Sequence, residues 1–205
     1  MNKRIGIMGG TFDPIHNAHL ALAECALIQL PLDEVWFMPA GNPYFKKDRH
    51  VTDGEDRCRM TELAIAGKPH FFLSRLEQKR DGDTYTADTL KYLHMRYPQD
   101  HFYFLTGSDS LYQIESWYQP ETILRLATLV TAEREYPDRP RSLRAEASYL
   151  AAKYHGDVRI LSLREIDISS TMIREMVRRG KDISQLVPLG VAEYIKEHKL
   201  YCDNG

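Results

Sequence analysis

The feature that most constrains the fold is a regular alternation of short apolar runs with longer segments of helical periodicity. The runs predict β-strands at Arg4–Met8, Glu34–Met38, Phe71–Leu73, Phe102–Leu105, Thr128–Thr131 and Val158–Leu161. The intervening segments predict helices near Ala18–Leu30, Glu55–Ala66, Ala87–Tyr97, Ser142–Tyr154, Thr171–Arg179 and Leu189–His198. Because parallel strands need long connections and both faces of a sheet must be buried, this order predicts an α/β fold with a mostly parallel sheet.

The predicted sheet is doubly wound and Rossmann-like, flanked by helices, and forms one domain over residues 1–205 with a small C-terminal helical segment from about 168 to 205. Hydroxyl side chains mark two of the helix starts, with Thr86 before one helix and Ser169 before another. Ligands of such sheets bind beyond the carboxyl ends of the strands. Functional residues are therefore expected in the loops that follow each strand.

Charge and cysteine content exclude several classes of protein. The chain has 27 Lys and Arg against 29 Asp and Glu, a net charge of −2, so neither a nucleic-acid coat nor a membrane-surface protein is expected. Its 3 cysteines, Cys25, Cys58 and Cys202, are widely spaced, which argues against a disulfide scaffold and a thiolate zinc site. No signal-peptide core or membrane-spanning run is found, so we expect a cytoplasmic protein.

The end of the first predicted strand carries the most informative motif, GGTFDPIHNAHL from Gly9 to Leu20. Two glycines allow a tight turn close to a ligand, and the N-terminus of the following helix favours an anion. His16 and His19 lie three positions apart on this helix and could reach the same anion. A zinc site is not expected, because no nearby Cys or third His completes it.

A second motif, ISSTMIR from Ile168 to Arg174, lies about 150 positions further on. Taken alone, Ser169 and Ser170 could simply cap a helix, and Arg174 with Arg178 could form a solvated face. Together, the two motifs resemble the His-x-Gly-His and Ile-Ser-Ser-Thr-x-x-Arg signatures of the nucleotidylyltransferase superfamily. The resemblance departs at Ala18, where the superfamily has glycine.

The superfamily resemblance implies adenylyl transfer from ATP with Mg²⁺ held mainly by ATP phosphates and water. It implies catalytic roles for His16, His19 and Arg174 and no protein metal ligand. The residues implied to bind ATP are Gly10, Thr11, Phe12, His16, His19, Gly107, Asp109, Ser169, Ser170, Thr171 and Arg174. Gly107 and Asp109 match a Gly-x-Asp element that binds the ribose. Such a transfer needs positioned phosphates and neutralised charge rather than a covalent nucleophile.

Further segments narrow the acceptor. The stretch DTYTADTL from Asp83 to Leu90 and the Trp117-Tyr118 pair are similar to blocks of the bacterial nicotinate-nucleotide (nicotinate mononucleotide) adenylyltransferases. The family's Pro-Pro-His-Lys segment is matched around Lys46, with Tyr44 and Phe45 as departures. The resemblance implies that nicotinate mononucleotide contacts Thr86, Trp117, Tyr118, Lys46 and Arg134. An indole face suits a pyridinium ring, and a helix N-terminus at Thr86 suits the nicotinate carboxylate.

We therefore expect a nucleotidyltransferase of NAD biosynthesis that makes nicotinic acid adenine dinucleotide and pyrophosphate by direct in-line attack. Two alternatives are kept: transfer to nicotinamide mononucleotide or another phosphorylated acceptor such as phosphopantetheine, and a non-catalytic sensor of adenine nucleotides. ATP and nicotinate mononucleotide are the expected partners, with no nucleic acid and no membrane. The sequence leaves a homo-oligomer open.

Overall fold

The fold is described from a computed structural model that covers residues 2–43, 51–80, 82–133, 139–163 and 166–202. Within these ranges the strands are β1 (Arg4–Gly10), β2 (Glu34–Pro39), β3 (Asn42–Pro43), β4 (Phe71–Leu73), β5 (Asp83–Thr84), β6 (His101–Thr106), β7 (Thr128–Ala132) and β8 (Val158–Leu161). The helices are α1 (Asn17–Gln29), α2 (Gly54–Ile65), α3 (Thr86–Arg96), α4 (Ser108–Gln113), α5 (Pro120–Leu126), α6 (Leu143–Tyr154), α7 (Ser170–Arg178) and α8 (Leu189–Glu197).

The main sheet has six parallel strands in the order β4-β2-β1-β6-β7-β8. From β1 the chain adds β2 and then β4 on one side of β1. It then crosses to the other side of β1 and adds β6, β7 and β8 in turn. The strand order therefore reverses between β1 and β6, and this reversal opens a crevice at the carboxyl ends of the strands. The α/β, Rossmann-like fold predicted from the sequence is confirmed.

Helices cover both faces of this sheet. On one face α1, α2, α7 and α8 share a core with Met8 and Phe37. On the other face α3, α4, α5 and α6 share a core with Ile5 and Ile7. Because successive side chains of a strand point to opposite faces, β1 contributes to both cores. Among the described residues, no helix is long and apolar enough to span a bilayer.

All six predicted strands and all six predicted helices are present, with ends shifted by at most two residues. The sequence analysis missed α4 and α5, which have 6 and 7 residues and are too short for a clear helical period. It also missed β3 and β5, which pair as a separate two-stranded parallel sheet. Thr86 was predicted to cap α3. In the structure Tyr85 holds the N-cap position, and Thr86 is the first residue of the helix.

Candidate active site

Two cavities open at the carboxyl ends of the central strands. The Trp117 cavity, of about 240 Å³, is lined by Gly10, Thr11, Thr86, Trp117 and Tyr118 among others. The His19 cavity, of about 310 Å³, is lined by His16, Ala18, His19, Gly107 and Ser108 among others. Gly9, Thr106 and Ser110 line both cavities. The two cavities therefore meet between the ends of β1 and β6, where this fold binds its ligands.

The segment that follows β1 contributes to both cavities, with Thr11 in the Trp117 cavity and His16 in the His19 cavity. Phe12 adopts a left-handed backbone conformation (φ 51°), which is uncommon for a bulky residue. Phe12 as a whole is 2% exposed and is not among the described residues that line either cavity, so its contact to ATP stays a prediction. The ring packs edge-on against His19, with centroids 5.0 Å apart. The aromatic ring thus anchors this left-handed turn in the core, beside His19.

His16 and His19 stand side by side at the start of α1. Their rings stack with centroids 3.7 Å apart, and the His16 backbone N–H donates to His19 Nδ1 at 3.2 Å. His16 is buried, and burial lowers the pKa of its imidazole to about 4. Its Nδ1 atom has no hydrogen-bond partner among the described residues. A buried polar atom without a partner is unusual, and here it belongs to a residue that lines the His19 cavity.

The second motif reaches this site from the opposite end of the chain. Ser170 Oγ donates to the Pro14 carbonyl at 2.8 Å, and Arg174 Nη1 donates to the Asp13 carbonyl at 2.7 Å. Ser169 caps α7 by accepting from the Met172 N–H at 3.2 Å. The structure therefore brings α7 against the turn after β1. The alternative that Arg174 belongs only to a solvated face is wrong, because its guanidinium binds the backbone of that turn.

The capping alternative for Ser169 is correct in this structure, whereas the Ser170 hydroxyl is engaged with the turn. The exposed Thr171 accepts a hydrogen bond at Oγ1 from Arg174 Nη2 at 3.2 Å. Only Ile168 of this segment lines the His19 cavity among the residues described. Phosphate binding by these hydroxyls and by Arg174 stays a prediction.

The predicted ribose element lies at the end of β6. Gly107 lines the His19 cavity, and Asp109 is exposed in the first turn of α4. Ser110, one position further on, lines both cavities. The sequence analysis did not single out Ser110, because a serine in a turn carries no specific signal. Its place at the junction makes it a candidate site residue.

Aromatic side chains form one wall of the Trp117 cavity. Trp117 packs edge-on against Phe104 with centroids 6.1 Å apart, so one edge of the indole is held by the core. Tyr118 is 45% exposed and lies against Tyr85, with centroids 4.6 Å apart. Thr86, the first residue of α3, lines the same cavity, and the first backbone N–H groups of a helix have no partner within that helix. This wall can hold a flat ring and an anionic group together.

Two predicted contacts, Lys46 and Arg134, lie outside the described residues, as do the departures Tyr44 and Phe45. Their roles stay predictions. No group of three or more His, Cys, Asp or Glu side chains in the described part of the chain is arranged to hold a metal ion.

Arg57 was missed as a site residue. It is 2% exposed and donates to the carbonyls of Thr52, Thr11, Ala40 and Gly41 at 2.7 to 3.2 Å. Burial lowers the pKa of this guanidinium, and four carbonyl partners compensate the buried charge. Arg57 thereby ties the loops after β1 and β2 together. The available signal was its spacing, because Arg57 lies on the buried stripe of α2 with Met60, Thr61 and Ala64.

Glu77, which lines the Trp117 cavity, was also missed. Its Oε1 accepts from Thr89 Oγ1 at 2.7 Å, and Thr89 Oγ1 accepts from Arg80 Nη1 at 3.1 Å. Burial raises the pKa of the Glu77 carboxyl, while Thr89 and Arg80 oppose that rise. The carboxyl group thus braces the first turns of α3 against the cavity wall. A lone glutamate between two loops gives no sequence signal of such a role.

Comparisons with known proteins agree with this geometry. The cytidylyltransferase-like family model matches residues 7–176. Two curated relatives carry the name "Probable nicotinate-nucleotide adenylyltransferase". The one from Dehalococcoides mccartyi (strain CBDB1) is 44% identical over 98% of both chains. The one from Lachnoclostridium phytofermentans is 41% identical over 97% of this chain and 99% of its own.

The fold is also similar to solved structures of a Plasmodium falciparum nicotinic acid mononucleotide adenylyltransferase. The structure complexed with APC has a TM-score of 0.77 and that complexed with NaAD a TM-score of 0.79. Both are 24% identical to this chain, and in both cases the match covers 98% of this chain and 98% of the other. At this identity the likeness supports the fold.

Proposed function

The chain belongs to the cytidylyltransferase-like family and, within it, to the nicotinate-nucleotide adenylyltransferases, and on this premise we propose that it transfers the adenylyl group of ATP to nicotinate mononucleotide. The products are nicotinic acid adenine dinucleotide and pyrophosphate, which places the enzyme in NAD biosynthesis. The observation that carries the proposal is the pair of cavities that meet at Gly9, Thr106 and Ser110. Two nucleotides bound there would have their phosphates adjacent.

In the proposed complex ATP occupies the His19 cavity. A phosphate oxygen of nicotinate mononucleotide attacks the α-phosphorus of ATP, and the bond from that phosphorus to the β-phosphate oxygen breaks. The electron pair leaves with pyrophosphate, and no covalent enzyme intermediate forms. Because the attacking phosphate is already ionised near neutral pH, a strong general base is not required. The protein positions the two phosphates and neutralises the charge that builds up between them.

His16, His19 and Arg174 are the proposed groups for this task. His16 lines the cavity that would hold the triphosphate, and its Nδ1 lacks a partner among the described residues. A phosphate placed beside the imidazoles would favour their protonated form and would gain charge-assisted hydrogen bonds. Arg174 is held 2.7 Å from the Asp13 carbonyl, next to the same turn.

We propose that Mg²⁺ enters with ATP, whose phosphates and bound water would supply most of its ligands. The described lining of the His19 cavity offers oxygen donors of the hard type that Mg²⁺ prefers, from Thr106, Ser108 and Glu133. When bound, the ion would neutralise charge on the triphosphate. The buried Asp13 carboxylate is a poorer candidate, because it accepts hydrogen bonds from Tyr201 and from the Thr52 N–H.

The proposed preference for nicotinate mononucleotide over nicotinamide mononucleotide depends on the Trp117 cavity. The free N–H groups at the start of α3 would stabilise a carboxylate more than a neutral amide. Trp117 would stack on the electron-poor ring of the mononucleotide.

Free thiols at the buried Cys25 and Cys58 are compatible with a reducing cytoplasm, where we place the reaction.

The test is an assay of pyrophosphate release by the purified chain with ATP and Mg²⁺. Nicotinate mononucleotide, nicotinamide mononucleotide and phosphopantetheine are supplied in separate reactions. We expect the highest kcat/KM with nicotinate mononucleotide. Equal or higher kcat/KM with another acceptor would favour the first alternative. Binding of an ATP analogue without pyrophosphate from any acceptor would favour the sensor.

A further inference from the structure

The C-terminal end of the described chain contacts the turn after β1. After α8 the backbone turns back through left-handed residues at Lys199 (φ 50°) and Tyr201 (φ 63°). This places Tyr201 Oη 2.8 Å from Asp13 Oδ1, and the tyrosine donates to the carboxylate. Burial and the neighbouring Asp13 charge both raise the pKa of Tyr201, so the hydroxyl remains a proton donor at neutral pH.

Asp13 collects contacts from three separate parts of the chain. The residue is 3% exposed, and its carboxylate accepts from Tyr201 at one oxygen and from the Thr52 N–H at the other, at 3.4 Å. Its backbone carbonyl accepts from Arg174. A buried carboxylate requires such partners, and the short, nearly ideal contact is the one from Tyr201.

The two sides of the turn are held by different residues. Thr11, on the side of the Trp117 cavity, is held by Arg57 through its carbonyl at 2.8 Å. Asp13 lies between Thr11 and His16 in the sequence, and His16 lines the His19 cavity. Loss of the Tyr201 hydroxyl would therefore remove the short contact to the Asp13 side chain on the His16 side. The backbone carbonyls of Asp13 and Pro14 would stay bound by Arg174 and Ser170, and Arg57 would still hold the Thr11 side.

We propose that Tyr201 is a positioning residue of the ATP site, and that through Asp13 it fixes the turn that presents His16 and the Asp13 carbonyl bound by Arg174. The C-terminal segment then helps to position the ATP site in addition to packing on the core. This proposal deepens the proposed function and rests on it for the identity of the ligand in the His19 cavity.

The test compares Tyr201→Phe with Tyr194→Phe. Tyr194 is a matched control because its hydroxyl donates to Asp56 at 2.7 Å and so joins the same C-terminal region to α2, away from both cavities. Affinities for a non-hydrolysable ATP analogue and for nicotinate mononucleotide are measured by calorimetry, with KM and kcat for both substrates. Tyr201→Phe should weaken the ATP analogue about tenfold and change mononucleotide affinity less than twofold. Tyr194→Phe should change both less than twofold.

An equal loss of both affinities in Tyr201→Phe, or the same pattern in the two variants, would overturn the proposal and leave Tyr201 a structural residue. Asp13→Asn and the double variant provide a second measurement. If Tyr201 acts through Asp13, the double variant binds the ATP analogue no more weakly than Asp13→Asn alone, whereas additive losses would contradict this. Because these affinities do not depend on turnover, a failure of the proposed reaction would appear separately in the pyrophosphate assay.

Discussion

His16 shows how burial prepares a residue for a ligand. Its imidazole is buried and stacked on that of His19, and burial keeps it neutral at pH 7 by lowering its pKa to about 4. Two stacked imidazolium ions 3.7 Å apart would repel each other, so the neutral form suits the protein without ligand. An incoming phosphate would reverse that balance by adding negative charge beside the ring.

The first prediction concerns pH and stability. The unfolded chain binds a proton at His16 below about pH 6.5, whereas the folded chain does so only near pH 4. The free energy of unfolding should therefore fall as the pH is lowered from 6.5 to 4, by up to about 3 kcal/mol from this group, at about 1.4 kcal/mol per pKa unit. Urea denaturation across this range should show a shallower fall for His16→Asn. Identical pH dependence in both proteins would refute the assignment.

The second prediction concerns His19, which lines the proposed ATP cavity. His19→Ala removes a group that would contact the phosphates, and we expect kcat to fall on the order of 10²- to 10³-fold. His101→Ala, at the amino end of β6 and so at the opposite end of the sheet, is the control and should keep kcat within about twofold. Circular dichroism checks that both fold. Near-normal turnover in His19→Ala would rule out its proposed role.

At the scale of elements, the loops after β1 and β2 and the segment before α3 act as one packed unit. Gln78 Nε2 donates to the carbonyls of Pro39 and Ala40 at 3.2 and 2.7 Å, and the Ala40 N–H donates to the Gly10 carbonyl at 2.8 Å. Arg57 crosses the same region from α2. The Trp117 cavity therefore owes its shape to contacts between loops that are far apart in sequence.

Gly41 tests how closely these loops are packed. A Cβ atom at Gly41 would lie within 2.3 Å of the Glu77 backbone oxygen, whereas one at Gly107 would meet nothing within 4 Å. Gly41→Ala should therefore lower the free energy of unfolding by about 1–3 kcal/mol, because backbone must move to accept the methyl. Gly107→Ala should cost less, at most about 1 kcal/mol, because it meets no steric clash and loses only the preference for glycine over alanine at the N-cap of α4. Urea denaturation measures both, and equal stability would contradict the close approach.

The segment between α4 and α5 carries Trp117, whose proposed partner is the ring of the mononucleotide. Trp117→Ala should raise KM for nicotinate mononucleotide about tenfold and leave KM for ATP within about twofold, since stacking on a cationic ring is worth about 1 kcal/mol or more. Trp36→Ala is the control, because Trp36 packs beside the same core cluster and does not line the described part of either cavity. An equal rise in both KM values would make Trp117 a structural anchor.

At the scale of the molecule, the reversal of strand order places two sites side by side. Because direct transfer requires both substrates to be bound together, initial-rate plots against ATP at several mononucleotide concentrations should intersect. Parallel lines, the pattern of a ping-pong mechanism, would indicate a covalent adenylyl-enzyme and would contradict direct attack. The dinucleotide product, nicotinic acid adenine dinucleotide, should compete with both substrates, because its two nucleotide halves would fill both cavities.

The sequence predicted the parts of the site that are local in the chain. Gly9, Gly10, His16 and His19 lie within eleven positions of each other, and a strand, a tight turn and a helix bring them together without help from the rest of the fold. Helical and strand periodicity is equally local, so the six main strands and six main helices could be read from it. Short elements such as α4 and α5 could not, since their packing against neighbours decides their conformation.

Contacts between distant residues were decided only by the tertiary structure. Ser170 meets Pro14 across 156 positions, Arg174 meets Asp13 across 161, and Tyr201 meets Asp13 across 188. The motif at Ile168–Arg174 indicated a role for two of these residues but not their contacts with the turn. The spacing of residues along the chain is enough to predict the geometry of a single turn, strand or helix. The order of strands and the packing of helices across the sheet determine which distant side chains meet, and a buried group such as Asp13 takes its partners from that packing.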